Sequence, residues 1–240
     1  MEIALISPAG SMYGNSTGIF PRALRYAPLT LTTLAGLSPN ELDVNIRVID
    51  EGVEKVDLEN IRPDLVGISA ITGTVNRAYA MADYFREREI PVVLGGVHPT
   101  LMPKEALKHA DSVVKGLAFQ SWPRLLKDFD KGQMKTFYSD ETPDLTKIPH
   151  ARRDLLGKFS YISKGSVQAT FGCPYECDFC AVVSTQRNYL HRPVEEVIEE
   201  IESLKSNFIV FVDPSPTEDK KYVQKLWSEM IPLKKKWGGL

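Results

Sequence analysis

Short apolar runs alternate with amphipathic stretches along the first half of this chain, and that alternation restricts the fold more than any other feature. Residues 3–7 read as a strand, and residues 44–50, 64–69, 91–94 and 112–115 repeat the pattern. Helical periods lie between and after them. Residues 28–37 carry Leu29, Leu31, Leu34 and Leu37 on a repeating face, and residues 74–88 carry Ala78, Ala82 and Phe85 on another. Residues 104–109 and 120–130 complete the set. The run Leu65-Val66-Gly67-Ile68 lacks polar alternation, which suits a strand buried on both faces. Strands separated by helices need crossover connections, so the expected fold is α/β: an open parallel sheet with helices on both faces. Right-handed crossovers then bring the loops after the strands to one edge, where ligands of such sheets bind. That edge would carry residues 7–14, 69–74, 95–100 and 116–119, and a Gly/Ser/Asn-rich loop over 10–18 follows the first strand.

The pattern weakens over residues 132–165, which hold Pro143, Pro149 and many charges. This segment reads as a linker between a domain at 1–131 and a second at 166–240. In the second, residues 166–171 form a strand. Residues 193–205 form a patterned helix, with Val194, Val197, Ile198, Ile201 and Leu204 on one face. Residues 208–212 form a further strand, and residues 220–237 a helix interrupted at Pro232. Two strand–helix units therefore follow residue 165. With 29 basic and 31 acidic residues the net charge is −2. No global field draws the chain to nucleic acid or an anionic membrane. The run Lys234-Lys235-Lys236 reads as a solvated helix end. The apolar run after Met1-Glu2 is too short for a secretory core or a membrane span, so the expected compartment is the cytoplasm.

All three cysteines lie in Gly172-Cys173-Pro174-Tyr175-Glu176-Cys177-Asp178-Phe179-Cys180, spaced Cys-x-x-x-Cys-x-x-Cys. In a reducing compartment such a cluster reads as metal or redox chemistry. Three thiolates suit a 4Fe–4S cluster with one iron left open. A structural zinc site would need a fourth ligand, and His191 is poorly spaced to supply it. Inert core thiols would not explain the spacing. Count and spacing favour the cluster.

Cys173, Cys177 and Cys180, after the strand residues Gln168-Ala169-Thr170-Phe171, resemble the opening motif of the radical S-adenosylmethionine (radical SAM) superfamily. The resemblance implies that the open iron binds S-adenosylmethionine and that cluster reduction releases a 5′-deoxyadenosyl radical. It implies contacts to S-adenosylmethionine from Phe179, beside the adenine; from Arg192, toward the methionine carboxylate; and from Asp213, at the end of the second barrel strand. Many relatives have two acidic residues there, but here Pro214 follows Asp213.

The preceding sheet resembles the cobalamin-binding domain of cobalamin-dependent radical enzymes, a flavodoxin- or Rossmann-like type, with the chain continuing into the first units of a partial (β/α) barrel. The resemblance implies cobalamin contacts from Ser69, Thr72 and Thr74, the hydroxyls taking the nucleotide tail, and from Gly95, Gly96, His98 and Gly116. Two features depart from the pattern. The Asp-x-His-x-x-Gly signature of histidine-donating cobalamin proteins is missing, so His98 reads as a structural or corrin-edge group. The acidic stretch expected after the fifth strand is replaced by Gly116-Leu117-Ala118-Phe119. A complete barrel takes about 250 residues, so the chain reads as truncated after the barrel's start. The implied reaction is methyl transfer to an unactivated carbon of a small-molecule or natural-product substrate. It would use a 4Fe–4S cluster, S-adenosylmethionine, cobalamin and an external electron donor such as flavodoxin or ferredoxin. The rival readings are a non-catalytic cobalamin- or nucleotide-binding or electron-relay module, and a flavodoxin-like domain with a zinc appendage.

Overall fold

The computed structural model describes residues 1–10, 27–157, 161 and 163–239. In β1 (Glu2–Ser7) successive side chains serve opposite cores. Ile3 and Leu5 join one cluster, and Ala4 and Ile6 the other. This two-residue period is that of a strand covered on both faces.

Around β1, the strands β2 (Asn45–Asp50), β3 (Leu65–Ser69), β4 (Val92–Gly95), β5 (Ser112–Lys115) and β6 (Phe137–Ser139) form one parallel sheet in the order 2-1-3-4-5-6. Helices α1 (Leu29–Gly36) and α5 (Ser121–Asp130) cover one face, with Leu31, Trp122 and Leu125 fully buried there. Helix α2 (Val75–Arg86) covers the other through Ala78, Ala82 and Phe85. Two short helices, α3 (Val97–Leu101) and α4 (Pro103–Ala106), link β4 to β5. The strand order reverses at β1 and β3, so a crevice is expected outside their carboxyl ends. The expected Gly/Ser/Asn-rich loop lies, beyond Gly10, outside the described residues.

Two corrections concern strands. The segment read as linker supplies β6, an edge strand of three residues paired to β5, so the first sheet extends to Ser139. The helix expected over 220–237 ends earlier. Helix α8 (Lys220–Met230) gives way to a 3-10 turn at Ile231–Leu233, and the chain re-enters as a strand over Lys236–Gly239. Pro232 cannot continue the helix, and Lys234 takes a left-handed φ of 51° that turns the chain back. The lysine run is therefore not a helix end: Lys235 Nζ donates to the carbonyls of Leu204 and Ser206, at 2.5 and 3.2 Å.

The strand expected over 166–171 is divided into β7 (Ser166–Val167) and β8 (Thr170–Phe171). Helix α6 (Val182–Thr185) follows the cysteine loop, and β9 (Leu190–His191) pairs antiparallel with β8. After α7 (Val194–Ser203) come β10 (Phe208–Phe211), α8 and β11 (Lys236–Gly239). β7, β10 and β11 form a parallel sheet in that spatial order, so a third strand joins the two expected. Val197, Ile201, Tyr222 and Leu226 of α7 and α8 pack on it. The second sheet advances in one direction, as the opening of a (β/α) barrel does.

The crossing segment lies along α1. Arg152 N–H donates to Thr32 O (2.8 Å), and a Cβ at Gly36 would stand 2.7 Å from His150 O. Among the described residues no helix is long and apolar enough to cross a membrane.

Candidate functional site

A cavity of about 380 Å³ opens at the carboxyl edge of the first sheet, within the size range of small-molecule sites. One wall is built by strand ends: Ser69, Gly95, Gly96 and Gly116. Leu29, Leu34 and Leu37 of α1 form a second wall. The opposite wall belongs to the second unit and carries Gln168, Phe171, Thr185, Gln186, Arg192 and Glu200. Phe119 meets Phe171 edge-to-face at 5.3 Å between ring centroids, and Leu145 completes a small apolar cluster joining the two units.

The glycine edge is held by backbone geometry. Gly96 has φ of 95°, a region L side chains rarely adopt. A Cβ there would lie 2.7 Å from Ala70 O and 2.9 Å from Ser69 Oγ. Thr100 links the neighbouring ends: its hydroxyl donates to Gly96 O (2.8 Å) and accepts from Gly116 N–H (2.9 Å). Leu117, Ala118 and Phe119, which replace the expected acidic stretch, line the cavity and make it apolar. Three expected contacts are not among the residues that line the cavity. Thr74 is buried and caps its own 3-10 turn through Ile71. His98 is buried against Thr72 and Glu105. Thr72 is exposed beside Ile71, which lines the cavity.

The cysteine loop begins one residue after Phe171. Gly172 makes the turn with φ of 76°, and a Cβ there would stand 2.3 Å from Asn188 O. Cys180 N–H donates to Cys177 O at 3.0 Å. Cys177 is exposed, Cys173 and Cys180 are half-buried, and Phe179 is 93% exposed. Helix α6 carries the loop back to α3 of the first unit. Among the described residues no three Cys, His, Asp or Glu side chains converge on one metal-ion position. His191 stacks on Tyr222 at 4.3 Å, with Nε2 3.8 Å from Asp219. Three thiols on one loop are the donor count of a cluster with one open iron.

Arg192 and Asp213 are both buried. Arg192 donates to Glu200 Oε2 (2.5 Å) and to Gln168 O (3.2 Å), and Arg153 donates to Glu200 Oε1 (2.6 Å) and Ser166 O (2.5 Å). Burial pushes the Glu200 carboxyl up, but Arg192 and Arg153 together outweigh it and hold the group below the usual carboxylate range. Nothing in the sequence pattern joins Arg153 to Glu200, 47 residues on. Arg192 Nε and Nη2 have no hydrogen-bond partner among the described residues. Asp213 Oδ1 accepts from the backbone N–H of Ala169 (2.9 Å) and Thr170, and from the Thr170 hydroxyl (2.8 Å). Burial raises the Asp213 carboxyl despite these bonds.

A doubly wound parallel sheet with a glycine-lined edge, facing a three-cysteine loop at the start of an advancing sheet, defines a cobalamin-type α/β domain joined to a barrel opening. Comparisons with known proteins agree. The B12 binding domain family matches residues 22–121. The chain is 32% identical over 189 residues to bacteriochlorophyllide d C-8(2)-methyltransferase of Chlorobaculum tepidum, covering 75% of this chain and 41% of the relative. It is 26% identical over 224 residues to anaerobic magnesium-protoporphyrin IX monomethyl ester cyclase of Rubrivivax gelatinosus, covering 79% and 40%. It is 23% identical over 222 residues to hopanoid C-2 methylase of Rhodopseudomonas palustris, covering 88% and 41%. The chain thus spans about two fifths of the length of these relatives. Over the part they share with it, the chain is similar to these relatives, and its first domain matches the B12 binding domain family.

Proposed function

We propose that this chain forms the cofactor-binding part of a cobalamin-dependent radical S-adenosylmethionine methyltransferase. The observation that carries the reading is the shared cavity. The glycine edge walls it on one side, and Phe171, two residues before Cys173, walls it on the other. Cobalamin and S-adenosylmethionine would meet there within reach of one substrate. When bound, the 4Fe–4S cluster supplies the electron that cleaves S-adenosylmethionine, and cobalamin supplies the methyl group placed on an unactivated carbon.

The residues of this chain have distinct tasks in that reading. Cys173, Cys177 and Cys180 would hold the cluster through three thiolates. Phe179, exposed here, is available to cover the adenine. Arg192 offers Nε and Nη2, the same side-on edge that Arg77 turns to Glu51 and Arg152 to Asp154. That edge suits the methionine carboxylate. Asp213 fixes the start of β8, and with it the approach to the loop. Gly95, Gly96 and Gly116 let a flat macrocycle approach the backbone, and the apolar walls limit water around a radical. The partners would be a small-molecule substrate and a flavodoxin- or ferredoxin-type electron donor. The free thiols suit reducing cytoplasm.

The test is anaerobic reconstitution with iron and sulfide, followed by dithionite and S-adenosylmethionine. Release of 5′-deoxyadenosine is expected. A protein that forms the cluster but never releases it would be the binding or relay module instead.

A further inference from the structure

The loop after β3 and the helices after β4 hold a hydrogen-bonded chain. Thr72 Oγ1 lies 3.1 Å from His98 Nδ1, and His98 Nε2 lies 3.2 Å from Glu105 Oε1. The Tyr79 hydroxyl donates to the same Glu105 oxygen at 3.0 Å. Tyr79 stacks on His109 at 4.1 Å between centroids, and His109 Nδ1 lies 2.9 Å from the Asp83 carboxylate. His98 and Tyr79 are buried, whereas Thr72, at the end of the chain of contacts, is exposed at the strand-end edge.

Charge sets the order of donors. Hydrogen bonds from His98 first, and then from Tyr79, hold Glu105 below the usual carboxylate range. An ionised carboxylate only accepts, so His98 Nε2 carries the proton facing it. The tautomer that donates from Nε2 leaves Nδ1 as an acceptor. In that tautomer the hydrogen between Nδ1 and Thr72 is the hydroxyl's own. Thr72 therefore donates inward and presents only lone pairs outward. An ordinary threonine hydroxyl would serve donors and acceptors alike.

We propose that the Glu105–His98–Thr72 chain fixes the Thr72 hydroxyl as an acceptor for an amide N–H of a ligand lying on the glycine edge, the carboxamide fringe of a corrin being the chemistry that fits. The inference rests on the cobalamin reading above and narrows it. A phosphate also only accepts, so Thr72 serves the amide fringe and not the phosphate of the nucleotide tail. Ser69 and Ile71 of the same loop, and Val97 beside His98, wall the cavity and put Thr72 at its rim. Glu105, His98 and Tyr79 act as positioning residues.

Hydroxocobalamin titration of the wild type, Thr72→Val, Thr72→Ser, Glu105→Gln and the Thr72→Val/Glu105→Gln pair tests this. Thr72→Val should weaken binding about fivefold to tenfold, the range of one net hydrogen bond. Thr72→Ser should restore it. Glu105→Gln removes the obligatory acceptor and should cost about as much as Thr72→Val, with no further loss in the pair. Nitrogen-15 shifts of His98 should show the Nε2–H tautomer in the wild type and a mixture in Glu105→Gln. This readout stands even if Glu105→Gln folds poorly. Fully additive losses, wild-type affinity in Thr72→Val, or an Nδ1–H tautomer in the wild type would overturn the inference. A wild type that does not bind hydroxocobalamin would instead overturn the cobalamin reading itself.

Discussion

The glycine edge of the first sheet and the cysteine loop of the second are built from opposite materials. At the glycine edge the contacts are backbone ones, fixed by strand order and by the left-handed turn at Gly96. That edge is formed as soon as the sheet is formed. At the cysteine loop the chemistry sits on side chains, and Gly172, the Cys180–Cys177 turn, the Arg187–Glu176 pair and the strand pair β8–β9 organise it. Its geometry belongs to the metal as much as to the chain. The two sheets differ in the same sense. One reverses its strand order and so opens a crevice, while the other advances and curls. Their junction is a small aromatic cluster and a buried charge triad.

The comparison requires the two regions to fail separately. Cys177→Ala should abolish most iron uptake on anaerobic reconstitution while hydroxocobalamin affinity changes less than about twofold, since no sheet contact is lost. Coupled loss of both would merge the regions into one cooperative site. Glu200→Gln attacks the junction. It leaves Arg153 and Arg192 buried without a counter-charge and should cost about 3–5 kcal/mol in urea unfolding. The native Glu200 carboxyl is depressed, so its stabilising contribution is complete above the ordinary carboxylate value. It is lost as pH falls through the lower native value. Acid unfolding of the wild type should show that loss, and the Gln variant should lack it.

Gly96→Val forces a left-handed φ on a branched residue against Ala70 and should cost about 1–3 kcal/mol and weaken hydroxocobalamin binding. Its iron content should stay at the wild-type level. Asp213→Asn is the smallest change. The native group is raised by burial, so its protonated form contributes stability that is complete below the ordinary value and lost as pH rises through the native one. Replacing it with a neutral acceptor of the same shape should cost less than about 1 kcal/mol by thermal unfolding.

The alternating runs made the parallel sheet readable in the sequence, because a strand buried on both faces leaves an unmixed apolar pattern. β6 escaped because Phe137-Tyr138-Ser139 is short and pairs on one edge only. β11 escaped because Lys236-Trp237-Gly238-Gly239 carries no period, and its strand character comes from pairing with β10. The cysteine spacing was legible because its ligands lie within one loop. The Arg153–Glu200–Arg192 and Glu105–His98–Thr72 groupings were not, since Arg153 lies 47 residues from Glu200 and Thr72 lies 26 from His98. Arg192 and Asp213 read as S-adenosylmethionine contacts, and the fold adds that both bond to the backbone at residues 168–170, just before the loop.

Electron paramagnetic resonance of the anaerobically reconstituted, dithionite-reduced protein, recorded with and without S-adenosylmethionine, tests the central claim most directly. A reduced 4Fe–4S signal that changes when S-adenosylmethionine is added is the predicted result. A signal that S-adenosylmethionine leaves unchanged, or reconstitution that yields no cluster signal at all, would contradict it.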